Sequence, residues 1–294
     1  KRKNMSEYRR VLIPIDLTPE VHTLAPAVRR MIDIGDAEIT LLHVVDAQPR
    51  RDRAGRALRL MTELELFGRR QFRGARISRR IEWGRPADCI LNVIRTESPD
   101  AVLLTGGQSS SGPLRSIAAE VMAEAPCPML LEWAVTAGVS ARGNGAHTQP
   151  VCCALDLDDT DERVLTEAVW AAARIGVPLK LVHALAPRDS KVAMLWDPQV
   201  RERETAAARS RMAAVRDRYA PGAGLQVDVG MAAPVINRAI RLHNAGLLVA
   251  GGSREALLSA ESQCPVLYVG PLSRSRAGRP VPVGQTELAA GRCA

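Results

Sequence analysis

The sequence predicts an α/β fold built as two tandem copies of one domain, each a five-stranded parallel sheet flanked by helices. Three observations carry this expectation. Short β-branched or leucine-rich runs alternate with longer segments of helical period. The pattern of the first half returns in the second. The 294 residues, 46% hydrophobic and 24% charged, give each half enough length for a core of its own at the usual ~100–200 residues per domain.

The elements follow in order. A first strand is expected near 11–16, with Thr18 as N-cap and Pro19 as first residue of the helix after it. Leu24, Val28, Met31 and Ile32 recur at i, i+4, i+7 and i+8, which places one apolar stripe on that helix. A second strand is expected near 38–44, and Leu60, Leu64 and Phe67 mark the next helix by the same spacing. Strands near 76–82, 101–105 and 128–133 complete the first copy. "VLIPIDLTPEVHTL" (11–24) returns as "VCCALDLDDTDERVL" (151–165) and "AEITLLHVVD" (37–46) as "VPLKLVHALA" (177–186), so that Asp16 to Asp156 and His43 to His183 both span 140 positions. Residues 82–94 then match 228–240, 100–107 match 245–252, and 125–133 match 262–270.

The Gly-, Ser- and Ala-rich stretch 136–149 lacks periodicity and reads as a linker. The domains are therefore expected at 5–135 and 150–271, with a flexible tail over 272–294. The apolar strands entered at Cys127-Pro128 and Cys264-Pro265 are expected at sheet edges, meeting about a pseudo-two-fold axis as an internal pseudo-dimer.

Composition excludes several classes. No apolar run approaches the ~20 residues of a membrane span, and Asp16 ends the short run Val11–Ile15 too early for a signal peptide, so a cytoplasmic protein is expected. Trp 4, Tyr 3 and Phe 2 are too few for base-stacking platforms, and a net charge of +8 is mild, so nucleic acid is not an expected partner. The six cysteines show no C-x-x-C spacing, which leaves no metal site and suggests buried, reduced roles for Cys127 and Cys264. Arg50, Arg51, Arg53, Arg56, Arg59, Arg69, Arg70, Arg73, Arg76, Arg79 and Arg80 form either a solvated face or one for an anionic partner.

Chemistry is expected outside the carboxyl ends of the first and fourth strands. Asp16 and its copy Asp156 close the first strand, while Gly106-Gly107 and Gly251-Gly252 close the fourth. Either the acid contacts a ribose or base and the glycines present N–H groups to a phosphate, or the acid caps a helix and the glycines only turn the chain. His43 and His183 have no nucleophile in register and read as hydrogen-bonded structural residues. Ser109, Ser110 and Ser111 read as lining a loop. No catalytic residue is expected.

Together the first-strand V-L-I-P-I-D, the second-strand L-L-H-V-V, the Gly-Gly turn with its Ser/Gly segment and the terminal A-P-C-P-M-L-L resemble the universal stress protein family in its tandem form. The resemblance implies a Rossmann-like strand order 3-2-1-4-5 in each domain, and either binding of an adenine nucleotide (ATP or AMP) or a regulatory role without one. It implies that Asp16 meets the base or ribose and that Gly106, Gly107, Ser109, Gly112 and Ser116 meet the phosphates, with Asp156, Gly251, Gly252 and Ser253 as a residual second site. The chain departs from the family's G-x2-G-x9-G-[S/T] loop. Counted from Gly106, the second glycine place is Ser109 and the last pair Ala119-Glu120; counted back from Cys127, Ser116 takes the hydroxyl place and Arg115 replaces the glycine. Gly252 to Cys264 is 12 positions against 20 from Gly107 to Cys127, which predicts a loop eight residues shorter. The expected function is a stress-response or regulatory protein with weak or lost nucleotide binding. Slow ATP hydrolysis or self-phosphorylation, and an interaction module using the arginine face on nucleic acid or acidic partners, are the alternatives; the other expected partners are a second copy of the chain, as a homodimer, and an unidentified protein.

Overall fold

The computed structural model describes residues 8–17, 24–32, 36–45, 53–106, 113–133, 149–158, 161–186, 197–252 and 264–273. The first half contains β1 (Arg10–Pro14), α1 (Pro26–Ile32), β2 (Glu38–Val45), α2 (Arg53–Gln71), β3 (Arg76–Trp83), α3 (Pro86–Glu97), β4 (Ala101–Gly106), α4 (Pro113–Glu124) and β5 (Met129–Trp133). The second contains β6 (Val151–Ala154), α5 (Asp161–Ile175), β7 (Leu179–Leu185), α6 (Pro198–Tyr219), β8 (Gly224–Val229), α7 (Ala232–His243), β9 (Leu247–Ala250) and β10 (Val266–Tyr268). Thr18-Pro19, most of the expected linker and the tail beyond Ser273 lie outside the described residues.

Among the described residues, all ten strands form one sheet, ordered β3-β2-β1-β4-β5-β10-β9-β6-β7-β8. Each half thus has the expected order 3-2-1-4-5, with every pair inside a half parallel. Parallel strands need crossover helices, which cover both faces, so successive residues of one strand enter opposite cores. Val11, Ile13 and Ile15 enter one core with Val28, Met31 and Ile32 of α1. Leu12 and Leu42 enter the other with Ile90, Leu91, Val93 and Ile94 of α3. The expected stripe on α1 is buried throughout, whereas of Leu60, Leu64 and Phe67 only Leu64 is fully covered. Cys127 and Cys264 are buried and are not disulfide-bonded.

The strands entered at Cys127-Pro128 and Cys264-Pro265 meet as expected. β5 and β10 pair antiparallel, with Leu131 opposite Val266, Leu130 opposite Leu267 and Met129 opposite Tyr268. Leu130 and Leu267 are 137 positions apart, as are Cys127 and Cys264, so the local two-fold passes between equivalent leucines. Flanking contacts reinforce this seam. The Tyr8 hydroxyl donates to Glu167 Oε2 on α5 at 3.0 Å in buried surroundings, its ring meets Trp170 edge-on at 4.8 Å, and Arg30 on α1 donates to the Ile175 carbonyl at 3.0 Å. The outer strand β3 carries Arg76, Arg79 and Arg80, charges that discourage edge-to-edge association.

The ladder also corrects one equivalence. Val11 faces Ala101 and Val151 faces Leu247, while Val102 faces Met129 and Leu248 faces Val266. Both registers equate Val102 with Leu248, an interval of 146, one more than the match of 100–107 with 245–252 gives. The helix ends agree, since Ser98 and Asn244, also 146 apart, both take left-handed C-cap conformations at φ 47° and 49°. Gly106 therefore corresponds to Gly252, and Thr105 to Gly251. The stretch from this glycine to the cysteine is 21 positions in the first half and 12 in the second, so the second loop is nine residues shorter rather than eight.

Leu130 and Leu267 are both wholly buried, and truncating either to alanine is expected to cost roughly 2–5 kcal/mol. Because they face each other, the double variant should depart from the sum of the single losses by about 0.5–3 kcal/mol. Denaturant titration of the four proteins checks this; strictly additive losses would contradict direct packing across the seam.

Candidate functional site

The strand order reverses around β1 in the first half and β6 in the second, so the crevices lie between β1 and β4 and between β6 and β9. The chain leaves both central strands in the same way. Ile15 N–H donates to the Leu42 carbonyl at 2.8 Å and Leu155 N–H to Val182 at 3.0 Å. His43 Nδ1–H donates to the Ile15 carbonyl and His183 Nδ1–H to that of Leu155, both at 2.8 Å. A carbonyl only accepts, so these bonds assign the Nδ1-protonated tautomer in each half. Leu17 and Leu157 then turn left-handed at φ 56° and 61°, a conformation that costs a leucine about 1–2 kcal/mol and persists because Ile15 and Leu155, two residues earlier, are held through both N–H and carbonyl. Burial lowers the pKa of His183, as does Arg211, against upward pulls from the Leu155 bond and Asp156. Both histidines are hydrogen-bonded, as expected, and tie down the exits of the central strands.

Beyond each pinned residue, Asp16 and Asp156 stand exposed. In the second half the acid and a glycine come together: a Cβ at Gly252, where φ is +70°, would lie 2.2 Å from Asp156 Oδ2. The carboxylate therefore rests on the glycine turn. Gly251 serves packing, since a Cβ there would meet Val164 Cγ2 at 2.7 Å and the Val269 carbonyl at 3.2 Å. In the first half Gly106 closes β4 and Ser116 lies exposed on α4. Gly107, Ser109, Gly112 and Ser253, with the other loop serines, lie outside the described residues.

Two acids not singled out from the sequence shape these crevices. Asp161, at the start of α5, accepts the Asp156 N–H at 3.1 Å and the Leu157 N–H at 2.6 Å, and so holds the second loop. Burial pushes its pKa up to about 6, assisted by Asp158 and Asp156 and opposed by those two backbone bonds. Glu132 lies beside Thr105 in the ladder and accepts the Ala25 N–H through Oε1 at 2.5 Å. Its Oε2 is buried without a hydrogen-bond partner among the described residues. Burial pushes its pKa up to about 7, against downward pulls from the Ala25 bond and Arg29. Val269 occupies the equivalent place in the second half. The signal in the sequence was an acid inside the apolar run "PMLLEW", with no alternation to carry it outward.

Four arginines of the arginine face form ion pairs. Arg69 and Arg79 share Glu65, Arg76 meets Glu38 at 2.9 Å, and Arg80 meets Glu82 at 2.5 Å and Glu97 at 2.8 Å. Arg53 stacks on Trp83 at 4.6 Å. This supports the solvated-face reading. Among the described residues, no group of His, Cys, Asp and Glu suits a metal ion, and no helix is long and apolar enough to cross a membrane.

Two expected outcomes follow from this geometry. Glu132 titrates near 7 in the folded chain against 4.5 ordinarily, so the native state keeps a proton that the unfolded chain releases. Stability should then fall as pH rises from about 4.5 to 7 and level off above, by up to ~3 kcal/mol at 1.36 kcal/mol per pKa unit. Asp161, raised to about 6, adds a slope of the same sign at lower pH, so Glu132→Gln, which keeps an acceptor for Ala25, should remove the part of the loss between about pH 6 and 7 and reduce the rest; parallel wild-type and variant profiles would refute the assignment. Gly252→Ala should cost about 1–3 kcal/mol, of which Asp156→Ala in the same chain restores the steric part but not the backbone part, as read by thermal melting.

The comparisons with known proteins agree with this architecture. The profile of the Universal stress protein family matches residues 7–131 and 147–269. A functionally unknown protein from Pseudomonas aeruginosa aligns with 90% of this chain over 93% of its own, at 18% identity and a TM-score of 0.58. A universal stress protein from Archaeoglobus fulgidus aligns with 92% of this chain over 98% of its own, at 15% identity and a TM-score of 0.54. No curated protein matches the sequence. At such identities the structural likenesses speak to the fold alone, whereas the two profile matches span most of the chain. With its repeated domain and its sheet order on both sides of the seam, the chain belongs to the universal stress protein family as a tandem member.

Proposed function

We propose that this chain is a cytoplasmic stress-response protein that regulates through binding rather than turnover, holding an adenine nucleotide, ATP or AMP, weakly in the first domain and not in the second. The observation that carries the reading is the seat of Asp156. Its carboxylate rests on Gly252, where a phosphate would need the backbone N–H groups of a glycine turn. Asp158 and Asp161 add negative charge beside it. The loop that would wrap a phosphate chain is nine residues shorter there, and each lost charge-assisted contact lowers affinity by about tenfold or more. The first domain keeps Gly106 at the equivalent position, the longer connection, and Asp16 and Ser116 exposed to solvent.

Titration of the full chain with ATP and AMP, read by calorimetry, tests this reading, alongside native mass spectrometry of gently purified protein for a retained nucleotide. One weak site is expected. Asp16→Asn should weaken it about tenfold or more at unchanged melting temperature, because Asn caps a helix about as well as Asp. Asp156→Asn should leave it untouched. Two equivalent sites, or a nucleotide complex abolished through Asp156 alone, would overturn the assignment.

A further inference from the structure

At the amino ends of β1, β2 and β3, the far end of the first domain from the Gly106 turn, a groove of about 340 Å³ opens beside the last turn of α3. That is the size of a small-molecule site. Its floor is Thr40 and Ser78, neighbours in the ladder with hydroxyl oxygens 2.9 Å apart. One wall is Glu97, which accepts from Thr40 Oγ1 at 3.2 Å and from Arg80 Nη1 at 2.8 Å. A carboxylate offers about four acceptor positions, so two remain for a further donor. Arg10 and Arg76 stand on the rim, paired to Asp100 at 3.8 Å and to Glu38 at 2.9 Å with side chains 51% and 75% exposed. Pairs that exposed are worth little and exchange partners at small cost.

The second domain shows what fits in this place. By register, Lys180 and Gly224 stand where the first domain has Thr40 and Ser78, and His243 stands where it has Glu97. The Lys180 side chain lies along Gly224, whose missing Cβ would fall 2.6 Å from both Cδ and Nζ. His243 is held by Gln226 Oε1 at 2.8 Å. The second domain thus fills the space with an alkylammonium of its own and sets a histidine against it. The first domain has withdrawn that chain, left hydroxyls in its place and set a carboxylate in the wall.

We propose that the first-domain groove binds a lysine-like amino acid, its side-chain ammonium received by Glu97 and the Thr40 and Ser78 hydroxyls and its carboxylate by the rim guanidinium groups of Arg10 and Arg76. Paired charges of both signs within one groove match a zwitterion better than a simple amine or a simple acid. This site is separate from the β1–β4 crevice and stands whether or not a nucleotide binds there.

The test is an amide NMR titration of the full chain with L-lysine, and with n-butylamine and acetate as its half-molecules. Lysine should give saturable shifts centred on Thr40, Ser78 and Glu97. Each half-molecule should bind about tenfold more weakly or worse. Thr40→Lys combined with Ser78→Gly copies the pair that the second domain already folds with, and should abolish the shifts. The proposal is overturned by the absence of saturable shifts, by shifts centred elsewhere, by either half-molecule binding as tightly as lysine, or by undiminished binding in the double variant.

Discussion

Two wholly buried leucines, Leu130 and Leu267, face each other across the antiparallel pair of β5 and β10, and the long-range order of the molecule depends on that pairing. Each half alone would end in an apolar edge strand with unpaired backbone groups, a standing invitation to aggregation. Joining the two edges turns two five-stranded sheets into one ten-stranded sheet. Both cores run through the seam, since each contains buried residues from both halves. The Tyr8–Glu167 hydrogen bond and the Tyr8–Trp170 ring contact then fix the helix layer above it.

Within that frame the two halves share their machinery for positioning an acid at the crevice. The histidine at the end of the second strand, the carbonyl it holds and the left-handed leucine two residues on recur with nearly the same distances and angles. Divergence lies in what surrounds the acid. The second half adds Asp161 to hold the loop from below and seats Asp156 on Gly252. The first half instead buries Glu132 at the end of β5, where the second has Val269.

Lengths changed where the sheet does not constrain them. The interval between equivalent residues is 140 at the first two strands, 146 at the third and fourth, and 137 at the fifth. Six residues were thus added around the second crossover and nine removed after the fourth strand. Both changes fall in connections that lie outside the hydrogen-bonded ladder, where loop length costs little. A change inside a strand would have turned every later side chain to the wrong face.

The α/β class, the tandem repeat and the strands were legible in the sequence, because they rest on local periodicity and on blocks that recur in the same order in both halves. The edge pairing was legible as well, since an apolar strand in each copy needed a partner. Tertiary structure alone decided the rest. Gly106-Gly107 and Gly251-Gly252 look alike as letters, yet backbone hydrogen bonds set the register and equate Gly106 with Gly252. Asp161 and the Thr40–Ser78–Glu97 groove were invisible for the same kind of reason, and Glu132 showed only as an acid inside an apolar run. Burial, a shifted pKa and an open groove are made by residues far apart in the chain, and only the packed sheet brings Ala25 to Glu132 or Lys180 against Gly224.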